Sequence, residues 1–169
     1  MSMKRKNLFL MCGPSGSGKS TWIAQQVKDM KVPYIVISRD GIRFSMLKDS
    51  DDYFAHEDEV FAEFRRQIQA AIDEDVEMNI FVDATHLSEK ARNKTLDGLR
   101  LEGVDLYAVA MDIPMGVCLD QNEQREGRAY VPRSVIRRMW YQYQPPTENE
   151  KYKYHILTVS RKEGEEEDE

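Results

Sequence analysis

Short apolar runs and amphipathic stretches alternate along the whole chain. The runs at 8–12, 34–37, 80–82, 106–111 and 156–159 contain few polar breaks and predict buried strands. Between them, Val60, Phe61, Phe64, Ile68 and Ile72 recur at helical spacing, as do Val135, Ile136, Met139, Trp140 and Tyr143. Weaker helical patterns cover 20–30 and 88–99. This alternation predicts an α/β fold, with a five-stranded parallel sheet covered by helices on both faces. In such sheets ligands bind at the carboxyl ends of the strands. No repeat or linker interrupts the pattern, so we expect one domain over 1–160 and an acidic tail over 161–169.

Composition refines this picture. The chain has 169 residues, 41% hydrophobic and 32% charged, enough for one domain with its own core. No apolar run approaches the roughly 20 residues that span a bilayer. The basic start (Lys4, Arg5, Lys6) precedes an apolar stretch too short for a secretion signal, so a cytoplasmic protein is expected. Cys12 and Cys118 make neither a disulfide framework nor a metal site and read as buried thiols. The formal charge of −6 is accounted for by the six acidic groups of 163–169, which leaves a neutral body. Charge therefore neither supports nor excludes a phosphate-rich partner.

The strongest local signal follows the first strand. Gly13-Pro14-Ser15-Gly16-Ser17-Gly18-Lys19-Ser20 is a complete phosphate-binding loop. Its glycines let the backbone curl so that successive N–H groups point inward, and the following helix adds its positive end. Lys19 is expected to reach the β- and γ-phosphates of ATP, Ser20 to ligate Mg²⁺, and Thr21 to lie near the α-phosphate. The motif points to a bound nucleoside triphosphate and is silent on the fate of its γ-phosphate.

Asp40 follows the second strand, where a carboxylate suits a general base for an attacking hydroxyl. Arg43 lies three residues on and would share a helical face with it, able to hold a substrate anion. The competing reading makes Asp40 a helix cap and Arg43 a surface charge. Asp83 closes the third strand and is a candidate for the acidic residue that holds Mg²⁺ directly or through water, or else a cap for the helix beginning at Ser88. We expect His86 to satisfy a loop hydrogen bond. Arg125 and Arg128 flank Gly127 in a loop that reads as an arginine-bearing lid between helices, able to neutralise a phosphoryl group in transit. Arg133, Arg137 and Arg138 lie on the following helix, and Arg137 and Arg138 read as its solvated face. Trp140 and Tyr143 read as packing residues.

Four ordered blocks carry a resemblance: 13–22, 38–43, 83–92, and Asp112-Ile113-Pro114 onward to the Val131-Pro132…Met139 stretch. Over 8–146 the chain resembles the bacteriophage-type polynucleotide 5′-hydroxyl kinase domain, within the P-loop kinase family. By that resemblance Asp40 matches the general base. Arg43 matches the arginine that holds the phosphate 3′ to the acceptor hydroxyl, and Arg125 the lid arginine that clamps the donor phosphates. The chain departs from the family in three places. The aspartate of the third block stands one residue earlier relative to Thr85, Gln121-Asn122 replaces a frequent Arg-Asn, and the lid is one residue longer. It also lacks the Asp-x-Asp-Gly-Thr motif of the phage 3′-phosphatase domain, so kinase activity alone is implied.

The expected function is thus ATP-dependent transfer of the γ-phosphate to a hydroxyl, with a nucleic-acid 5′-OH end as partner. Two alternatives stay open. One is a small-molecule, nucleotide-sugar or toxin-type kinase, favoured by the acidic character of 44–57, with Asp49, Asp51, Asp52 and Glu57. The other is a non-catalytic ATP-binding switch.

Overall fold

The computed structural model describes residues 4–161, and the acidic tail from 162 onward lies outside the described residues. Five strands form one parallel sheet in the order β2-β3-β1-β4-β5, as the sequence pattern predicts. They are β1 (Lys6–Cys12), β2 (Tyr34–Ser38), β3 (Met78–Asp83), β4 (Val104–Asp112) and β5 (His155–Ser160). Strand β1 is central, with Leu8 opposite Ile80 of β3 and Leu106 of β4.

Strand periodicity of two assigns alternate residues to two cores. Leu8, Leu10, Ile80 and Val82 face one side, where they pack with Val60, Phe64 and Ile68 of helix α3 (Glu57–Asp73). Met11, Phe81 and Val109 face the other side. There they meet Ile23 of α1 (Lys19–Val27), Val117 of α5 (Met115–Glu123) and Ile136 of α6 (Arg133–Gln142). Burying Phe64 completely makes it a main contributor; truncating such a ring costs about 3–5 kcal/mol.

Helix α2 (Arg39–Met46) follows β2, and α4 (Glu89–Leu96) follows β3. Neither α2 nor α5 stands out by spacing: α2 is short and contains Gly41, and α5 buries consecutive Val117, Cys118 and Leu119 rather than a stripe. The expectation of five buried strands needs correction at the two edges. Tyr34, Ile35 and Val36 of β2 and Leu157 of β5 are exposed, because an edge strand has one neighbour and only partial helix cover. Trp140 is about one-third exposed and spends its indole N–H on the Ile113 carbonyl, while the Tyr143 hydroxyl donates to the Cys12 carbonyl. Among the described residues no helix is long and apolar enough to cross a membrane.

Candidate active site

A cleft of about 440 Å³ opens at the carboxyl ends of β1, β2 and β3. The phosphate-binding loop forms its floor. Gly18 precedes α1 in the left-handed region (φ 91°), and no side chain caps the helix, so the first amides of α1 face the cleft unclaimed. Gly16 has φ +82°, and a Cβ there would collide with the Cys118 carbonyl oxygen of α5. Gly13, Pro14 and Ser17 form the back of the loop. The Gly13 N–H donates to the Thr85 carbonyl at 2.8 Å, tying the loop to the end of β3.

Lys19 is buried and donates to the carbonyls of Gly13 (3.0 Å) and Pro14 (2.8 Å). Burial lowers its ammonium pKa from the ordinary value; Arg125 acts the same way, against the attraction of Asp83 and Asp40. Such a cation is underpartnered until it meets an anion. Ser20 donates from Oγ to Asp83 Oδ2 at 2.8 Å, so a hydroxyl and a carboxylate meet between loop and third strand. This pair of hard oxygens suits Mg²⁺, which keeps most of its waters and takes few protein ligands. Among the described residues no group of three or more His, Cys, Asp or Glu forms a metal cage.

The caps of the two helices are supplied by residues other than the aspartates. Helix α2 is capped by Ser38, whose Oγ accepts from the Gly41 N–H at 3.0 Å, and α4 by Ser88, whose Oγ accepts from Ala91 N–H at 3.2 Å. Neither Asp40 nor Asp83 is spent on a helix end, and both line the cleft.

Asp40 sits in a network. Its Oδ1 accepts from Arg43 Nη1 and, at 2.7 Å, from the Tyr53 hydroxyl. Burial, with Asp40 beside it, pushes the Tyr53 phenol up to about 12, so it remains a donor. Arg43 is buried and fixed by Glu57 through Nε–Oε2 (3.1 Å) and Nη2–Oε1 (2.6 Å), with the Tyr53 ring 4.5 Å beneath its guanidinium. Arg39 also donates to Glu57, at 2.7 Å. Burial works to raise the Glu57 pKa, but the two arginines outweigh it and hold the carboxyl below its usual range. Glu57, Tyr53 and Phe54 escape sequence reasoning because they lie in the stretch read only as acidic. Part of that charge is engaged internally: besides Glu57, Asp51 accepts from Lys48 N–H and pairs with His56.

Arg125 lines the cleft with Gln121 and Gln124 at the end of α5. Arg128 does not line it. Its Nη2 instead donates to the carbonyls of Lys48 and Asp49, both at 2.9 Å, and so bridges the lid to the loop after α2. That differs from the donor-phosphate position expected for Arg128. The lid itself (124–132, with a single turn of 3-10 helix at Gly127–Ala129) is pinned by buried Asn122, which bonds both the N–H and the carbonyl of Val131. His86 is buried against the Met11 carbonyl (2.7 Å) and Thr95 Oγ1 (3.0 Å), the loop role expected of it. Burial raises the pKa of Cys12 to about 12 and of Cys118 to about 11, so both are unreactive thiols.

A family model described as an AAA domain (AAA_33) matches residues 8–146. No curated protein matches the chain in sequence. Among solved structures, the chain is similar to a component of the Pnkp1/Rnl/Hen1 RNA repair complex, at 20% identity and TM-score 0.67, over 83% of this chain and 45% of that one. It therefore spans less than half the length of that neighbour. A fungal RNA kinase is similar at 15% identity and TM-score 0.65, covering 99% of this chain and 78% of the other. A sugar kinase from a Janibacter species is similar at 16% identity and TM-score 0.56, covering 93% and 85%. At these identities the likeness is one of fold. With the family model covering both the phosphate-binding loop and the lid, the chain belongs to the AAA domain family and has the P-loop kinase fold.

Proposed function

We propose that this protein is an ATP-dependent kinase that transfers the γ-phosphate to the 5′-hydroxyl of a polynucleotide. The observation that carries the reading is the placement of Asp40. It faces the cleft beside the phosphate-binding loop, uncommitted to the helix cap and aimed by Arg43 and Tyr53.

In this reading the α1 amides and Lys19 hold the donor phosphates, Lys19 exchanging its two carbonyl partners for phosphate oxygens. Asp40 accepts the proton of the acceptor hydroxyl as that oxygen bonds to the γ-phosphorus. The bond from the γ-phosphorus to the bridging oxygen breaks, and ADP leaves with the electron pair. Arg125, from the lid, meets the charge on the phosphoryl oxygens. Ser20 and Asp83 would hold Mg²⁺, which bridges and neutralises donor phosphates in enzymes of this kind. Arg43 lines the cleft and would hold the phosphate 3′ of the acceptor hydroxyl by exchanging Tyr53, the second partner of its Nη1 beside Asp40.

A polynucleotide acceptor is supported by the Tyr53–Phe54 pair. Phe54 lines the cleft yet is 68% exposed, a flat face on which a nucleobase can stack. The names of two structural neighbours point the same way, an RNA repair complex and an RNA kinase. The test offers γ-labelled ATP with a 5′-OH oligonucleotide, a nucleoside 3′-monophosphate and a set of sugars. Label on the first two supports the reading. Label on sugars alone contradicts it, and tight ATP binding without transfer indicates a switch.

A further inference from the structure

A second groove, about 730 Å³, lies between α3 and α4 and is lined by Phe61 and Asn93, three cations (Arg65, Lys90, Lys94) and two acids (Glu89, Asp97). A single ring joins it to the cleft. Phe61 lies 5.0 Å from the guanidinium of Arg39, which lines the cleft, and 5.1 Å from the ammonium of Lys94, which lines the groove. Phe61 thus stands between the acceptor side of the cleft and the groove, with Lys94 on the groove side and, on the cleft side, Arg39, itself paired with Glu57.

The three cations of the groove outnumber its two acids. Among the described residues neither Lys90 nor Lys94 belongs to an ion pair. Arg65 donates to the backbone carbonyls of Thr95 and Asp97 and, among the described residues, belongs to no ion pair, though its charge reaches the Asp97 carboxylate. Of the two acids, Asp97 is paired with a cation from outside the groove, and Glu89 accepts from a backbone N–H. Glu89 accepts from the Lys151 N–H at 3.0 Å. Asp97 accepts from Lys151 Nζ at 2.7 Å and from the Tyr152 hydroxyl at 2.6 Å, which hold its carboxyl below the usual range. Lys90 and Lys94 are four residues apart on α4, so they stand on one face about 6 Å apart along the axis. Exposed cations following one another past an aromatic ring suit a sugar–phosphate backbone.

We propose that this groove carries the acceptor strand beyond its 5′-terminal nucleotide, Lys90, Lys94 and Arg65 holding successive phosphodiesters of a single-stranded polynucleotide. The direction of the strand rests on the kinase reading above; the binding does not.

The experiment measures binding of a labelled single-stranded oligonucleotide of roughly ten nucleotides, within the usual span of single-strand sites. It compares wild type with Lys90→Ala/Lys94→Ala over a range of salt. The expected loss of affinity is about 3- to 30-fold, the size of two exposed charge contacts. The plot of log affinity against log salt should become shallower by about 1.4. Lys28→Ala/Lys31→Ala, with the same change of net charge on exposed residues outside the groove, should show neither effect. Lys90→Arg/Lys94→Arg should retain both affinity and slope. In kinase assays the KM for the oligonucleotide should rise by a similar factor. That for a nucleoside 3′-monophosphate, too short to reach the groove, should move less than about twofold. Equal losses in the Lys28/Lys31 control, no loss in the groove variant, or no oligonucleotide binding by wild type would each overturn the proposal. Groove-dependent binding without transfer to any acceptor would leave the groove standing and remove the kinase reading.

Discussion

Glu57 holds Arg43 through two bonds, and Arg43 in turn reaches Asp40, so an acidic residue on the first turn of α3 sets the position of the candidate base. Glu57→Gln removes the charge that offsets a buried guanidinium. Losing one member of a buried pair costs about 3–5 kcal/mol, and the partial exposure of Glu57 places this variant at or below the low end. We expect a lower melting temperature and turnover reduced at least about tenfold. ATP affinity should be nearly retained, because Glu57 does not touch the phosphate-binding loop. Unchanged turnover in a folded Glu57→Gln protein would detach this network from catalysis.

Arg43 should also make the acceptor's 3′-phosphate matter. A charge-assisted arginine contact is worth about 1.5–3 kcal/mol, so a nucleoside 3′-monophosphate should surpass the bare nucleoside by roughly 10- to 150-fold in kcat/KM. Arg43→Ala should shrink that ratio, and Arg43→Lys should restore it only in part because lysine lacks the planar fork. Comparing acceptors within each variant removes general damage to the protein. An intact preference in Arg43→Ala would show that another group reads the phosphate.

The loop glycines differ in what they tolerate. At Gly16 (φ +82°) an added Cβ meets the Cys118 carbonyl, whereas at Gly127 (φ +57°) nothing lies within 4 Å. Gly127→Ala should cost only the left-handed backbone, about 1–2 kcal/mol. Gly16→Ala adds a backbone collision and should cost more, with ATP affinity falling as the loop opens. Melting curves and nucleotide titrations of the pair decide this; equal stability of the two variants would contradict the close approach of loop and α5.

His86 gives the fold a pH dependence with a defined sign. Burial lowers its pKa from 6.5 to about 4, so the folded state holds it neutral while the unfolded chain protonates near 6.5. As pH falls below 6.5, the unfolded state binds the extra proton, and stability should drop by about 1.4 kcal/mol per unit until about pH 4. Between about pH 6.5 and 5 the paired carboxylates have yet to titrate, and the difference in urea unfolding between wild type and His86→Asn separates this histidine from His56 and His155. Flat stability over that interval would mean that His86 reaches solvent.

The sheet and the floor of the cleft were legible because their signals are local. A strand, a glycine loop and a lysine at fixed spacing specify a phosphate cradle without knowledge of anything else. The aspartates were legible as positions but not as roles. A carboxylate after a strand can cap a helix or face a ligand, and only the caps supplied by Ser38 and Ser88 separate the two. The remainder depends on long-range pairing that no periodicity encodes. Glu57 meets Arg43 by folding α3 back over α2, Asn122 closes the lid on Val131, and Arg128 turns to the 48–51 loop rather than to the cleft. Exposure of β2 and β5 was hidden for the same reason: strand order, not composition, makes an edge.

The central claim is that Asp40 takes the proton from an acceptor hydroxyl. The most direct measurement is single-turnover transfer of labelled γ-phosphate from ATP to a 5′-OH oligonucleotide, wild type against Asp40→Asn. Asparagine keeps the shape and can still accept from Arg43 and Tyr53, but it cannot take up the proton. With Ser38 as the cap, the fold gives no reason for the helix to suffer. We predict transfer by wild type and a rate lower by about 10²–10⁴-fold in Asp40→Asn, with ATP affinity and melting temperature nearly unchanged. A variant that transfers phosphate within a few-fold of wild type, or a wild type that transfers none, would contradict the account.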